Sequence, residues 1–308
     1  MKKVLIIGSA NMDLSMNLFR VPNAGETLLD DGGIAYTPGG KGANSAIAFA
    51  KLGVECVFCT KLGADLHGQK LFNYYKECGI NTSYIKVERD VPTGLAVVMK
   101  ENGGSNRIVV YPGANKLLNN DNILEAFSSN PDALYIGFEI PFHTALAAAK
   151  IAAAKNIPIF IDAAPASKEY PLELLPEVEI FSPNETETFE YTGILPQGTE
   201  SCAKAALTLY NKVKAKHIVI KLGDRGAFYY DGTQFDHIPA YRADQVVDTT
   251  AAGDTFTAAL TVEYLRSGNI KNSILYGAAA AAIAVSRSGA STSVPSEREV
   301  FEFLKKRN

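Results

Sequence analysis

The alternation of short apolar segments with amphipathic helical segments is the feature that most constrains how this chain folds. Six segments are predicted as strands: residues 4–8, 56–60, 133–137, 157–162, 179–182 and 217–222. Strands that are apolar on both faces are typical of a buried, mainly parallel sheet. The predicted helices cover residues 43–50, 66–78, 142–155, 200–211, 253–266, 270–286 and 296–307. This order predicts an α/β, three-layer, doubly wound fold, with residues 1–308 forming one domain.

Two regions interrupt this alternation, and we predict that they form a separate small sheet. Residues 12–37 and 92–112 contain period-two segments at 14–19, 27–36, 94–100 and 107–111, with no helix between them. Turn residues separate these strands, as at Pro22-Asn23-Ala24-Gly25 and Asn102-Gly103-Gly104. We expect the small sheet to be a lid inserted in the domain, folding over a site at the strand ends. A further hairpin, residues 227–230 and 234–238, is expected at the edge of the main sheet.

Composition and charge exclude several classes of protein. The chain is 47% hydrophobic and 20% charged, with a formal net charge of −3, as in an ordinary globular protein. No run of Lys and Arg is long enough to follow a phosphate backbone, so nucleic acid is not expected as a partner. Residues 277–285 are too few to cross a membrane, and the apolar start is predicted as a buried strand rather than a signal peptide. Cys56 and Cys59 are predicted on opposite faces of one strand, as reduced thiols of a cytoplasmic protein.

The strongest local signal is the run of small residues Asp248-Thr249-Thr250-Ala251-Ala252-Gly253-Asp254, which leads into a predicted helix. Small side chains let a phosphate approach the N–H groups at a helix start, where the helix dipole adds roughly half a positive charge. Asp254 lies in the first turn, so we expect an ionised carboxylate that positions a hydroxyl and accepts its proton during phosphoryl transfer. The alternative is that Asp254 only caps the helix.

Two further segments bring polar groups to the predicted carboxyl edge of the sheet. Gly39-Gly40-Lys41-Gly42-Ala43-Asn44 is a glycine-rich turn that opens a helix, and its Lys and Asn offer a cation and an amide to polar oxygens. Asn11 and Asp13 follow the first strand, and in an extended segment both face one side, where they can bind neighbouring hydroxyls. Each segment is alternatively an ordinary polar turn.

These motifs together resemble the paired signatures of the ribokinase (phosphofructokinase-B) family of sugar kinases. The first signature is residues 39–46 with Gly53 and Gly63 downstream, and the second is residues 248–254 with residues 258–260. Similar segments at 11–13, 111–115, 183–187 and 289–295 extend the likeness over nearly the whole chain. The resemblance implies a ribokinase-like fold and ATP-dependent phosphorylation of a sugar. The Gly-Gly-Lys-Gly-Ala-Asn form is similar to that of the ribose-phosphorylating members, so the 5-hydroxymethyl group of D-ribose is the expected acceptor.

The resemblance also implies roles for individual residues. Asp254 would be the base, and Ala251, Ala252 and Gly253 would form an anion hole. Sugar hydroxyls would be held by Asn11, Asp13, Gly40, Lys41, Asn44 and Glu139. The ATP site would be lined by Asn184, Lys221, Gly223, Asp224, Gly226 and Gly253. Glu187 would organise Mg²⁺ through water, and K⁺ would be held by Asp248, Thr250, Ala284, Arg287, Gly289 and Ser293.

Two positions depart from the family pattern. Asp162 stands where these kinases often have Asn, and Lys221 stands where many relatives have Thr. Since these departures bear on substrate and nucleotide preference, a kinase of the same family for another sugar or a nucleoside is the alternative function. The alternative of another class is a non-catalytic sugar-binding sensor. Because the lid strands expose edges, and such sheets often pair between subunits in this family, a homodimer through the lid is expected.

Overall fold

A computed structural model describes residues 1–101 and 106–307 of the chain. The strands are β1 (Lys3–Ile7), β2 (Asn11–Leu18), β3 (Ile34–Gly39), β4 (Glu55–Gly63), β5 (Ile85–Glu88), β6 (Gly94–Glu101), β7 (Asn106–Tyr111), β8 (Ala133–Gly137), β9 (Ile159–Asp162), β10 (Val178–Ser182), β11 (Ala215–Lys221), β12 (Ala227–Tyr230) and β13 (Phe235–Ile238). The helices are α1 (Lys41–Lys51), α2 (Leu66–Glu77), α3 (Asn120–Ala126), α4 (Phe142–Ala154), α5 (Glu185–Thr192), α6 (Thr199–Lys212), α7 (Ala252–Ser267), α8 (Ile270–Ala284) and α9 (Glu297–Lys305).

The larger sheet has nine strands in the order β13-β12-β11-β10-β9-β8-β1-β4-β5. Its strands run parallel from β11 to β5, and β12 and β13 add an antiparallel hairpin at one edge, as predicted. From β1 the chain builds outward first through β4 and β5 and then, on the other side, through β8. The carboxyl ends of β1 and β8 therefore flank the point where strand order reverses, which is where open α/β sheets bind ligands.

The core lies on both faces of this sheet. Val4 and Ile6 of β1 pack on one face with residues of α1, α7 and α8, and Leu5 and Ile7 pack on the other face with residues of α4 and α6. Helices thus cover both faces, which confirms the predicted fold class. Cys56 and Cys59 lie in opposite halves of the core, as predicted, and all four cysteines are free thiols.

The smaller sheet has the order β3-β2-β6-β7, with a parallel pair β2–β6 at its centre and an antiparallel strand on each side. The strand expected at residues 27–36 is wrong, because the strand begins only at Ile34. Gly32 and Gly33 make a turn before it: Gly33 has a φ of +92°, and a Cβ on Gly32 would lie 2.2 Å from the carbonyl oxygen of Asn17. The predicted turn at residues 102–104 lies outside the described residues.

Three elements were not predicted. Strand β5 has only four residues, and helices α3 and α5 have seven and eight residues. None is long enough to repeat an apolar pattern, so periodicity does not distinguish them from loops. Among the helices in the described ranges, none combines the length and apolar character needed to cross a membrane.

Candidate active site

The site begins where the chain passes from β1 into β2. Asn11 opens β2, and the buried amide of Asn115 donates to its Oδ1 at 2.8 Å and to the Ala10 carbonyl at 3.2 Å. The Ala10 amide in turn donates to Asn115 Oδ1 at 2.9 Å. Asn115 therefore fixes which end of the Asn11 side chain accepts a hydrogen bond, and the side-chain N–H groups of Asn11, which have no acceptor among the described residues, are left for a ligand. Asn115 lies within one of the family-like segments, but no role had been predicted for it.

The glycine-rich turn presses α1 against the end of β1. Gly40 has a φ of +88°, and a Cβ there would lie 2.8 Å from the Asn11 amide nitrogen. A Cβ on Gly42 would lie 2.6 Å from the Cα of Gly8. The Ala43 amide donates to the Ser9 carbonyl at 2.9 Å. This backbone-to-backbone contact brings the first turn of α1 to the carboxyl edge of the sheet, and it is why glycine is required at these two positions.

Asp254 is the point where α1 and α7 meet. Its buried carboxylate accepts a hydrogen bond from Asn44 Nδ2 at 2.9 Å, and Lys41 Nζ lies 3.8 Å from its other oxygen. The charge of Asp254 raises the pKa of Lys41 above its ordinary value, so the lysine is a cation. Within the described residues, no side chain caps the start of α7. The polar contacts of Asp254 thus run across the site to α1, which is not the arrangement of a helix cap.

Ala251, Ala252 and Gly253, which were predicted to form an anion hole, lie at the start of α7. Ala251 adopts a left-handed conformation with a φ of +60°, and the first bond of the helix runs from the Thr255 amide to the Ala251 carbonyl at 2.9 Å. The Ala252 amide donates to the Thr249 carbonyl at 3.2 Å. Since the first amides of a helix lack acceptors one turn earlier, the N–H groups of Gly253 and Asp254 are the ones best free to meet an anion.

Carboxylates gather on the side of the small sheet. Burial raises the pKa of Asp13 to about 7, and the nearby charges of Glu139 and Asp254 add to the shift. Glu139 accepts hydrogen bonds from the Ser9 hydroxyl and from the Lys41 amide, the latter at 3.0 Å. Asp13 Oδ1 is buried without a hydrogen-bond partner in the part of the chain that the structure describes. A buried acceptor without a donor, next to a second carboxylate, suits a polyhydroxylated ligand. Ser9 is a further residue that the sequence did not single out.

A buried charged cluster lies beside the first turn of α7. Lys221, at the end of β11, donates to Asp162 Oδ2 at 2.8 Å and to the Thr257 hydroxyl at 3.2 Å. Thr257 belongs to α7, and its hydroxyl lies 2.8 Å from Asp162 Oδ2 and 3.1 Å from the Gly253 carbonyl oxygen. The two residues that depart from the family pattern are therefore in direct contact. Thr257 had not been predicted as a site residue.

The residues predicted for ATP occupy the next strand ends. Asn184 and Glu187 form a capping box at the start of α5, in which the backbone N–H of Asn184 donates to Glu187 Oε2 at 2.7 Å. The Lys221 amide donates to the Pro183 carbonyl at 2.8 Å, so Asn184 and Lys221 are neighbours. Burial raises the pKa of Glu187. Gly223 and Gly226 both have positive φ in the turn after β11, where Asp224 is exposed to solvent.

The residues predicted for K⁺ surround the Asp248 carboxylate in part. The Thr250 amide donates to Asp248 Oδ1 at 2.9 Å, and the Gly289 amide lies 3.4 Å from Oδ2. The Asp248 amide donates to the Val285 carbonyl at 3.2 Å, inside the turn in which the Arg287 amide donates to Ala284. Ser293 is buried and its hydroxyl donates to the Ala290 carbonyl at 2.7 Å. The contact that no sequence pattern indicated is Lys100, whose Nζ lies 3.3 Å from Asp248 Oδ2.

Comparisons with known proteins find similar sequences and structures over nearly the whole chain. The model of the pfkB family carbohydrate kinases matches residues 1–297. A ribokinase from Arabidopsis thaliana is 34% identical over 310 residues, covering 98% of this chain and 81% of that protein. A deoxyribokinase from Salmonella typhi is 30% identical over 98% of both chains. The solved structure of the Arabidopsis thaliana ribokinase complexed with ribose and ATP matches with a TM-score of 0.89 at 33% identity, covering 99% of this chain and 98% of that one.

Proposed function

The chain belongs to the pfkB family of carbohydrate kinases, and from this premise we propose that it transfers the terminal phosphoryl group of ATP to the 5-hydroxymethyl group of D-ribose. The observation that carries the proposal is the meeting of Asp254, Asn44 and Lys41 at the start of α7. A carboxylate, an amide and a cation converge there on free helix amides. The choice of ribose and ATP is supported by the similar ribokinase structure, which is complexed with both.

The sugar is held by groups that fit its hydroxyls. Asn11 and Asn44 offer amide N–H donors, and Asp13 and Glu139 offer acceptors. Asp254 accepts the proton of the reacting hydroxyl as its oxygen bonds to phosphorus, and the bond from phosphorus to the leaving oxygen of ADP breaks. Because the transition state of phosphoryl transfer is loose, a weak base in the correct position is sufficient. The amides of the anion hole, with Gly253 at its exposed edge, stabilise the negative charge of the group in transit.

The nucleotide phosphates need a divalent cation, and the chain offers oxygen donors for it. Glu187 is 6% exposed, and its two carboxylate oxygens each accept one hydrogen bond from Asn184, at 2.7 and 2.9 Å, so each keeps a lone pair for a further donor. Carboxylate oxygens are the protein ligands that Mg²⁺ accepts while it retains several waters. We assign Glu187 to this role, through bound water, and a bound Mg²⁺ would neutralise phosphate charge there. Asn184, Lys221 and the turn at Gly223–Arg225 border the nucleotide.

The oxygens around Asp248 suit a monovalent cation such as K⁺ in type, but the carboxylate already carries the ammonium group of Lys100. We propose that K⁺ and Lys100 compete for Asp248.

Two further proposals concern the whole protein. The four free cysteines, three of them buried, and the use of ATP support a cytoplasmic location. Exposed apolar residues on the edge strands β3 and β7 support a homodimer through the small sheet, which sedimentation at micromolar concentration tests: Ile34, Tyr36, Ile108, Val109 and Tyr111.

The decisive variant is Asp254→Asn, which keeps the shape of the side chain and an oxygen that accepts from Asn44. We expect kcat to fall by about 10²–10⁴-fold, the usual contribution of a positioned base, while the melting temperature stays near that of the wild type. The control is Asp121→Asn, because Asp121 is also an aspartate in the first turn of a helix but is exposed. Wild-type turnover by the Asp254 variant would contradict the assigned role.

The acceptor is tested with a panel of ribose, deoxyribose, fructose and adenosine, each with Mg-ATP, by measuring kcat/KM from ADP formation. Deoxyribose belongs in the panel because a similar protein is a deoxyribokinase. A preference for a nucleoside would overturn the choice of ribose. Tight sugar binding in a calorimeter without any ADP formation would favour a sugar-binding sensor instead.

A further inference from the structure

We propose that Lys221 is the cation that contacts the phosphoryl group under transfer, and that Asp162 and Thr257 are positioning residues that hold its ammonium group beside the anion hole. This inference rests on the proposed kinase function and deepens it, because it assigns to the nucleotide side of the anion hole a full positive charge that the helix amides do not supply.

The ammonium group of Lys221 lies close to Gly253 at the start of α7. A Cβ built on Gly253 would lie 3.8 Å from Lys221 Nζ, so the ammonium group borders the same small space that Gly253 opens to an anion. Thr257 lies one turn further along α7 and ties the ammonium group to that helix. A phosphoryl oxygen bound by the Gly253 amide is therefore within reach of a charge-assisted hydrogen bond from Lys221.

The ammonium group of Lys221 has more donors than acceptors around it. An ammonium group has three N–H donors. In the described part of the chain, Lys221 Nζ has two acceptors, Asp162 Oδ2 and the Thr257 hydroxyl. The Thr257 hydroxyl accepts from Lys221 and can donate its own proton to Asp162 or to the Gly253 carbonyl. One N–H of a nearly buried cation is thus left for a ligand, and the nearest open space is the anion hole.

Burying the ion pair of Lys221 and Asp162 is unfavourable in free energy. The side chains of Lys221 and Asp162 are 10% and 4% exposed. Removing two charges from water is unfavourable, and well-packed neutral residues often replace a buried ion pair without loss of stability. Packing alone therefore gives no reason for this pair. An anion that binds beside the ion pair gives such a reason, because the Asp162 carboxylate keeps the Lys221 ammonium group in place until the phosphate binds.

The pair also explains both departures from the family pattern as one change. Where related kinases often carry neutral Asn and Thr, this chain has Asp162 and Lys221, which contact each other at 2.8 Å. Their charges cancel, so the net charge of the site is the same as with the neutral residues. What changes is that a cation is placed on the phosphate side.

The test is a cycle of Lys221→Thr, Asp162→Asn and the double variant, with melting temperature, kcat, and calorimetric affinity for ADP and for the non-hydrolysable ATP analogue AMP-PNP. We expect Lys221→Thr to lower kcat by about 10²–10³-fold, as for loss of one donor to a developing charge. This variant should weaken the affinity for AMP-PNP by about tenfold or more. Its affinity for ADP should stay within about twofold of the wild-type value, because ADP lacks the terminal phosphate. Asp162→Asn should lower kcat and leave KM for the sugar unchanged.

The double variant separates the proposal from a purely structural ion pair. It removes both charges, so we expect its melting temperature to return to that of the wild type while kcat stays at the level of Lys221→Thr. Recovery of wild-type kcat in the double variant, or equal weakening of ADP and AMP-PNP by Lys221→Thr, would overturn the proposal. If Lys221→Thr fails to fold, Lys221→Arg and the double variant carry the test. Absence of ADP formation by the wild-type protein on every sugar would defeat the kinase function itself, and the two nucleotide affinities would still decide the contact of Lys221.

Discussion

Replacing Gly42 by alanine tests whether the contact between α1 and the end of β1 sets the geometry of the site. A Cβ on Gly42 would lie 2.5 Å from the carbonyl carbon of Gly8 and 2.6 Å from its Cα. Non-bonded carbon atoms rest about 3.5–4.0 Å apart, so the start of α1 has to move by about 1 Å. Both atoms belong to the backbone, so no side-chain rotation relieves the contact.

The expected costs in stability and in activity differ. Overpacking costs about 1–3 kcal/mol, and the better helix propensity of alanine offsets about 1 kcal/mol, so the free energy of unfolding should fall by about 0–2 kcal/mol. Lys41 and Asn44 move with α1, whereas Asp254 stays on α7. A displacement of about 1 Å between reacting groups costs about a hundredfold in rate. We therefore expect kcat/KM for ribose to fall about a hundredfold in a protein that is still folded at 25 °C.

Urea unfolding and a coupled assay for ADP measure the two quantities on the same preparation. Gly198→Ala is the control, because a Cβ there meets no atom of the described residues within 4 Å. Its free energy of unfolding should fall by about 1 kcal/mol, the cost of alanine at the N-cap of α6, while kcat/KM stays at the wild-type value. The reasoning is refuted if Gly42→Ala keeps the kcat/KM of the wild type, or if it unfolds without a separate loss of activity.

Two further predictions concern charge. The folded-state pKa of Asp13 is about 7, above its ordinary value of 3.8, so the native protein holds a proton that the unfolded chain loses between these values. Stability should therefore decrease as pH rises from about 4 to about 7, and urea unfolding of Asp13→Asn should show a smaller dependence over this range; an equal dependence would contradict the assignment. Lys100→Met should increase the rise in melting temperature caused by KCl relative to choline chloride, since K⁺ no longer competes with the ammonium group for Asp248. Lys86→Met is the control, because Lys86 is equally exposed and pairs with the distant Glu125, and an identical response of the wild type and Lys100→Met would refute the competition.

The main sheet could be predicted because its strands are apolar on both faces over several residues. Residues 133–137 were predicted with the bounds that β8 has. Elements with few apolar residues were not predicted, because they lack an apolar pattern that repeats along the chain. Helix α5 has the sequence ETETFEYT, and its position depends on the capping box of Asn184 and Glu187 rather than on an apolar stripe. A short element of this kind is stabilised by its ends and its neighbours, which periodicity does not report.

The site was predictable where one segment carries several functional groups, and not where a lone residue orients another. Residues 39–44 and 248–254 each combine small residues with a charge, so each is recognisable by itself. Ser9, Asn115 and Thr257 are single polar residues whose importance comes from partners far along the chain. Asn115 lies 104 positions from Asn11. Only the fold brings such partners together.

The pair formed by Asp162 and Lys221 shows why two departures that look independent in a sequence need not be so. The residues are 59 positions apart and stand at the ends of β9 and β11, with β10 between them. Strand order and register decide whether those ends meet, and neither is written in the local pattern. In the folded chain each charge makes the other tolerable, since a lone buried lysine or aspartate at this position would be strongly destabilising. A change at either position is therefore to be judged by the charge that remains at the other one.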